Sequence, residues 1–227
     1  MSAGDIAPLV LFDLDGTLVD SAVDLLAAMN VILAREARPP LSLEILRPVV
    51  SKGGRAMLAV AFPDIDAAER EARLLPDFLA VYADAVAIHS TPFDGVEAVL
   101  LAIERAGARW GIVSNKPHYL AVPVVESMGW TARCAVLYGG DSLARKKPDP
   151  DQLLAAAADC GVAPGDCVYV GDDERDIAAA RNAGMRAVAA LWGYRLDEDD
   201  PLAWRADVLA DAPRDLLRAG ALSRHRA

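Results

Sequence analysis

Apolar and polar positions follow two different rhythms along this chain. Leu9-Val10-Leu11-Phe12 is an unbroken apolar run that meets Asp13 and breaks at Gly16. A short continuous run closed by glycine predicts a strand buried on both faces of a parallel sheet. From Ser21 to Glu36 the rhythm becomes helical, with apolar side chains at Leu25, Met29, Ile32 and Leu33 and with Asp20 or Ser21 placed to cap the start. Pro39-Pro40 ends that helix. A short helix from Ser42 to about Arg47, the loop Lys52-Gly53-Gly54-Arg55 and a helix over 54–61 follow. A longer helical pattern runs from Asp66 to Val86, with Leu75, Phe78, Leu79, Tyr82 and Val86 on one face. Pro76 is expected to kink or restart it. Residues 18–90 therefore predict helices and no convincing strand.

After Thr91-Pro92 the pattern alternates. A helix through Val96, Val99, Leu100 and Ile103 ends at Gly107, and a strand over 109–113 follows. Next come a helix over 119–128 with Pro123 in its first turn, and a strand over 134–138. Asp149 and Pro150 read as cap and first residue of a helix that ends at Gly161. Strands over 167–170, 186–191 and 206–209 flank a helix over 176–183, Asp197–Asp200 reads as a solvated turn, and the tail after Leu222 is expected to fray. Alternating strands and helices give the fold class: α/β, with a Rossmann-like parallel sheet core (1–17 and 91–227) carrying an inserted all-helical domain (18–90). In such sheets the ligand site lies outside the carboxyl ends of the strands.

The charged strings sit at those ends. Asp13 and Asp15 are two apart, so on a strand they face the same way. Two acids closing a core strand point to a bound cation or a catalytic pair, because charge is rarely buried without a partner. Ser114-Asn115 ends the next core strand, Lys146-Lys147-Pro148 follows the third, and Gly171-Asp172-Asp173-x-x-Asp176 follows the fourth. Singly, these are a turn, a solvated lysine pair and the acidic start of a helix. Together they supply what a phosphate monoester requires, namely a nucleophile, a hydroxyl, a lysine and hard oxygen ligands of the kind that select Mg²⁺.

The 227 residues allow one large domain, or one with a smaller insertion, and 54% hydrophobic residues mark a globular chain. A net charge of -10 argues against nucleic acid and anionic membranes as partners, while leaving room for a small anionic substrate in a locally positive cleft. No apolar stretch is long enough to span a membrane and no secretory leader pattern is present, so the expected address is cytoplasmic. Cys134, Cys160 and Cys167 lack metal-type spacing and read as reduced structural thiols. Only four of the 23 basic residues are lysine: Lys52, Lys116, Lys146 and Lys147. Lysine is a compact point charge and arginine a planar fork, and three of the four lysines fall in the strings that matter here.

The string Asp13-Leu-Asp-Gly-Thr-Leu-Val-Asp-Ser21, with the three later pieces in order, resembles the haloacid dehalogenase-like superfamily of phosphohydrolases over nearly the whole chain. The resemblance implies that Asp13 is the nucleophile that forms an aspartyl-phosphate and that Asp15 is the general acid/base. It implies Mg²⁺ held by Asp13, the backbone carbonyl of Asp15, and Asp172. Ser114, Asn115 and Lys147 would bind the phosphoryl group. Lys147 is chosen over Lys146 because the family's lysine directly precedes proline. Thr17, Asp173 and Asp176 would support the metal or orient Lys147. The helical segment resembles the family's cap, with Lys52, Gly53, Gly54 and Arg55 as its substrate-selecting loop.

Within the superfamily the overall look is closest to the phosphoglycolate phosphatase group. The strings Arg47-Pro-Val-Val-Ser-Lys-Gly-Gly-Arg-Ala-Met57, Arg133-Cys-Ala-Val-Leu137 and Val170-Gly-Asp-Asp-Glu-Arg-Asp-Ile177 are also similar to N-acetylmuramic acid 6-phosphate phosphatases. Asp15 argues against a dehalogenase. The neighbours of Lys52 argue against a phosphonoacetaldehyde hydrolase, whereas a sugar phosphomutase would share every core motif. A non-catalytic phospho-acceptor module needs neither Asp15 nor the helical segment. The expected partner is a small phosphorylated metabolite, and the chain is expected to be a monomer or homodimer.

Overall fold

A computed structural model describes residues 6–224. The last residues of the predicted tail, 225–227, lie outside it, as do residues 1–5. β1 (Leu9–Phe12) is buried throughout and passes through a tight turn into β2 (Val19–Asp20). Helices α1 (Ala22–Arg35), α2 (Leu43–Leu46), α3 (Gly54–Ala61), α4 (Ala67–Glu69) and α5 (Leu75–Ala83) follow. β3 (Thr91–Pro92) pairs antiparallel with β2, so the two passages between sheet and helices run side by side. The remaining order is α6 (Val96–Arg105), β4 (Arg109–Val113), α7 (His118–Ser127), β5 (Leu137–Tyr138), α8 (Asp151–Asp159), β6 (Cys167–Gly171), α9 (Glu174–Asn182), β7 (Arg186–Ala190) and β8 (Val208–Ala210).

The main sheet is parallel, in the order β5-β4-β1-β6-β7-β8. From central β1 the chain builds outward to β4 and β5, then crosses to β6, β7 and β8. The carboxyl end of β1 is therefore the switch point at which doubly wound sheets open a crevice. Side chains alternate across the sheet as the two-residue period requires. Val10, Phe12, Trp110, Ile112, Val168 and Val170 join α6 and α7 in one core, while Leu9, Leu11, Val113, Tyr169 and Ala187 join α8 and α9 in the other. Each fully buried Leu, Val or Phe contributes about 1.5–3 kcal/mol, which fixes the register.

A third cluster fills the helical segment, with Leu25, Met29, Ile32, Leu46, Phe62, Leu74, Phe78 and Tyr82 among its members. Leu120 and Tyr194 from the sheet side also join it. Pro76 occupies the second residue of α5, and the restart it forces takes the form of a π-helical turn over Arg70–Leu74.

Several local expectations change. Pro123 lies inside α7 rather than in its first turn, because the helix opens earlier, at His118 behind Pro117. The strand expected over 134–138 shortens to β5 because Cys134 turns back, its N–H donating to the Trp130 carbonyl. Asp149 does not cap α8, which starts at Asp151 behind Pro150. Neither Asp20 nor Ser21 caps α1. The Tyr194 hydroxyl does so from 173 residues away, accepting from Ser21 N–H (2.8 Å) and Ala22 N–H (3.1 Å) while donating to Asp20 (2.6 Å). Val19 and Asp20 form a short strand where only helix was expected. Cys134, Cys160 and Cys167 are unpaired. No helix among the described residues is long and apolar enough to cross a membrane.

Candidate active site

β1 delivers Asp13 to the switch point, where its backbone N–H donates to the Val170 carbonyl of the adjacent strand (2.9 Å). The Asp13 carboxylate is anchored through Oδ1, which accepts from Leu14 N–H (2.8 Å) and lies 3.1 Å from Lys147 Nζ. Among the described residues no group donates a hydrogen bond to its Oδ2. Lys147 is the centre of the cluster. Its ammonium reaches Asp176 Oδ1 at 2.7 Å and the Tyr169 hydroxyl at 2.7 Å, and that hydroxyl donates in turn to the Val113 carbonyl. Burial works against the Lys147 charge, but Asp13 and Asp176 outweigh it and hold the group above the ordinary lysine range. Lys146 stays exposed, so the lysine directly before proline is the one at the site.

β6 delivers the second acidic group. Asp172 is fully buried, and Thr17 donates to its Oδ1 (3.0 Å). Its Oδ2 accepts from Tyr194 N–H (2.9 Å) and from the Ser51 hydroxyl (2.6 Å). Burial, with Asp13 and Asp176 adding to it, pushes the Asp172 carboxyl well above the usual carboxylate range, against the pull of Ser51 and Tyr194. Asp173 and Asp176 form the capping box that starts α9, so the acidic string also serves as helix start. The turn after β1 closes down on these acids. Gly16 has φ +84, and a Cβ there would collide with the Asp172 carboxylate and the Ser51 hydroxyl.

Oxygen atoms of Asp13, Asp172 and Asp176 lie within 4.8 Å of one another, all buried. Three hard oxygen donors, with one lysine to balance them, fit a divalent cation such as Mg²⁺. The Asp15 carboxylate is not in that cluster. It faces away, accepting from the Ser21 hydroxyl (2.6 Å) and from Lys116 Nζ (3.2 and 3.1 Å).

Ser114 is buried at the end of β4, and its Oγ accepts from Lys116 N–H (3.3 Å). The Asn115 amide donates to the Lys147 carbonyl (3.0 Å) and so ties the second string to the third, while its Oδ1 is buried with no partner among the described residues. Lys116 is the site residue that the motif reading passed over. Its signal was the scarcity of lysine in a chain built on arginine.

The predicted loop divides in two. Lys52 reaches the site, 3.0 Å from both Asp173 Oδ2 and Asp199 Oδ1. Asp199 is thereby drawn out of the solvated turn expected of it. Arg55 points away, paired with Glu71 on an exposed face. Gly53 (φ +89) and Gly54 form the turn into α3 between them. Arg175 reaches across to the Ser51 carbonyl and pairs with Asp173 (2.6 Å).

The chain is similar to known proteins over most of its length. A phosphoglycolate phosphatase of Xanthomonas campestris pv. campestris is 59% identical over 212 residues, 93% of this chain and 96% of the relative. An N-acetylmuramic acid 6-phosphate phosphatase of Pseudomonas aeruginosa is 43% identical over 209 residues, 92% of each chain. A crystal structure from Haemophilus somnus 129pt, described as a predicted phosphoglycolate phosphatase, superposes with a TM-score of 0.82 at 26% identity, covering 93% of this chain and 96% of that one. The model of the haloacid dehalogenase-like hydrolases matches residues 10–190, the span from β1 to the end of β7, and with it the chain belongs to that family.

Proposed function

We propose that the chain is a Mg²⁺-dependent phosphate monoester hydrolase that acts on a small phosphorylated metabolite, 2-phosphoglycolate foremost, through an aspartyl-phosphate on Asp13. The observation that carries this reading is the Asp13 carboxylate fixed by Lys147 beside buried Asp172 and Asp176. The relative at 59% identity supports the choice of substrate.

Asp13, the backbone carbonyl of Asp15, and Asp172 would hold the metal, with Asp176 close by. When bound, the cation offsets the charge of the phosphoryl oxygens and of the acids around it. The remaining work falls to the chain. Lys147, Ser114 and Asn115 hold the phosphoryl oxygens, and Asp176 orients Lys147 through their 2.7 Å pair. Asp13 attacks through Oδ2, forming a bond to phosphorus as the ester oxygen–phosphorus bond breaks. Asp15 gives its proton to the departing alkoxide. Water then attacks the phosphorus, Asp15 takes the water's proton, and the bond to Asp13 breaks to release phosphate. Thr17 and Asp173 act as supports, one on Asp172 and the other at the start of α9.

Residues 18–90 act as a cap over the core of residues 1–17 and 91–227, excluding water and selecting the leaving group. Lys52, Gly53 and Gly54 form the selecting loop, and Arg55, paired with Glu71 on its outer face, shapes it without reaching the core. N-acetylmuramic acid 6-phosphate is the second reading, supported by the relative at 43% identity and by the strings quoted above. Steady-state kinetics on the two esters side by side, with and without EDTA, test the proposal. A higher kcat/KM for 2-phosphoglycolate that vanishes with EDTA supports it. A higher value for the sugar phosphate selects the second reading. No turnover of any ester overturns both.

A further inference from the structure

Lys116 is nearly as buried as Lys147, yet the chemistry above gives it no role. Its side chain is 5% exposed. Its Nζ donates to Asp15 Oδ1 (3.2 Å), to Asp15 Oδ2 (3.1 Å) and to the Tyr82 hydroxyl (2.8 Å). These contacts couple Lys116 to Asp15, whereas Lys147 is coupled to Asp13, so Lys116 acts on the chemistry through Asp15. The backbone on either side holds it in place: its N–H donates to Ser114 Oγ, and its carbonyl accepts from Gly140 N–H at 2.7 Å.

Lys116 and its two partners come from three places. Asp15 follows β1, Lys116 follows β4, and Tyr82 lies in the last turn of α5. Lys147 differs, because Asp13, Asp176 and Tyr169 all belong to the sheet side of the molecule. The nucleophile is therefore fixed whatever the helical segment does, whereas the group that fixes Asp15 leans on that segment. Tyr82 is itself anchored, buried to 1% and stacked on Phe78 at 6.5 Å. Burial disfavours a charged Lys116, but Asp15 and Tyr82 outweigh it, and the ammonium is retained.

We propose that Lys116 is a positioning residue for Asp15, and that Tyr82 makes this positioning depend on the helical segment being seated over the core. The inference rests on the reading of Asp15 as the group that protonates the leaving oxygen. Proton transfer requires the donor within hydrogen-bond reach of that oxygen, and Asp15 sits on a turn where, among the described residues, the side chains of Ser21 and Lys116 orient it. Opening the helical segment removes Tyr82, frees one Lys116 donor and loosens the acid before any product is committed to leave.

The test compares kcat/KM for two esters in wild type, Lys116→Met and Tyr82→Phe. An alkyl ester, 2-phosphoglycolate, needs a proton on its leaving oxygen. p-Nitrophenyl phosphate does not, because p-nitrophenolate is a weak base. kcat/KM reports only the steps up to alcohol release, so slow hydrolysis of the phosphoenzyme does not mask the difference. Lys116→Met should lower the alkyl-ester value by on the order of 10²-fold while p-nitrophenyl phosphate falls by no more than about threefold. Tyr82→Phe removes only a hydroxyl, so it keeps the test alive if Lys116→Met fails to fold. It should show the same asymmetry at about threefold. An equal fall on both esters in either folded variant overturns the proposal and leaves the phosphatase reading standing. A wild type inactive on both esters overturns this inference, and inactivity on N-acetylmuramic acid 6-phosphate as well overturns the phosphatase reading.

Discussion

Charges at the carboxyl edge of the sheet and charges on the helical segment obey different rules. At the edge, Lys147 and Asp176 have side chains only 1% and 2% exposed, and each carries several partners. On the helical segment, Arg38–Asp64 and Arg55–Glu71 are close pairs with much of their surface in water. Removing one member of a buried pair strands the other, at a typical cost of about 3–5 kcal/mol. Exposed pairs are screened, and their loss is hard to measure. The edge therefore dictates its residues, while the helical surface tolerates exchange. The proposed function assigns catalysis to the first region and choice of substrate to the second.

The sharpest way to break that comparison is Asp13→Asn. It keeps the shape and the Leu14 contact but removes the nucleophile, so turnover should drop by at least about 10³-fold with the melting temperature held or raised. Comparable residual turnover, measured alongside circular dichroism, would remove Asp13 from its role. Lys147→Met follows. It leaves Asp13 and Asp176 facing each other without their cation, and should cost about 3–5 kcal/mol in urea unfolding as well as most activity. A variant as stable as wild type would show that the acids share a proton and need no lysine.

Why these residues were readable from sequence follows from the same rule. A buried strand end allows few residue types, so Asp13, Ser114 and Asp172 stand out as charge or hydroxyl after an apolar run, while Lys147 stands out as the lysine directly before proline. What stayed hidden depends on pairs distant in sequence. Ser51 meets Asp172 across 121 residues, Lys116 meets Tyr82 across 34, and Tyr194 caps a helix 173 residues before it. No local pattern encodes such meetings. The capping rule placed Ser21 at a helix start, but its hydroxyl serves Asp15 instead. Pro123 misled for a related reason: tertiary packing tolerates a proline inside α7 that local propensity would place at the start.

The third test concerns the metal. A carboxyl whose folded pKa is raised binds protons more tightly folded than unfolded. It therefore weakens the fold as pH rises from its unfolded pKa through its folded one. Asp172 and Asp176 are both shifted upward, Asp176 to about 6, so their contribution falls between about pH 4 and the upper values. A divalent cation needs those groups ionised and relieves their repulsion. Millimolar Mg²⁺ should thus raise the melting temperature more at pH 8 than at pH 5, with a gain of about 2.7 kcal/mol at a hundredfold excess over Kd. An equal rise at both pH values would place the ion away from these acids.

The smallest expected effect tests the helical side. Lys52 and Arg55 stand three residues apart on either side of the turn into α3, yet of the two Lys52 alone touches the acids of the core. Burial opposes its charge, and Asp173 and Asp199 restore it, so the lysine is held in place as a charged group. Arg55 spends its guanidinium on Glu71 in the same helical segment and, among the described residues, makes no bond across to the sheet side. Lys52→Gln should then raise KM for 2-phosphoglycolate several-fold, because the loop loses its hold on the core. It should do so with kcat within about twofold, since the reacting groups are untouched. Arg55→Gln should leave both constants where they are. If instead Arg55→Gln changes the ranking of esters while Lys52→Gln does not, then selection runs through the outer face of the loop. The seated geometry would then not be the one in which substrates are chosen.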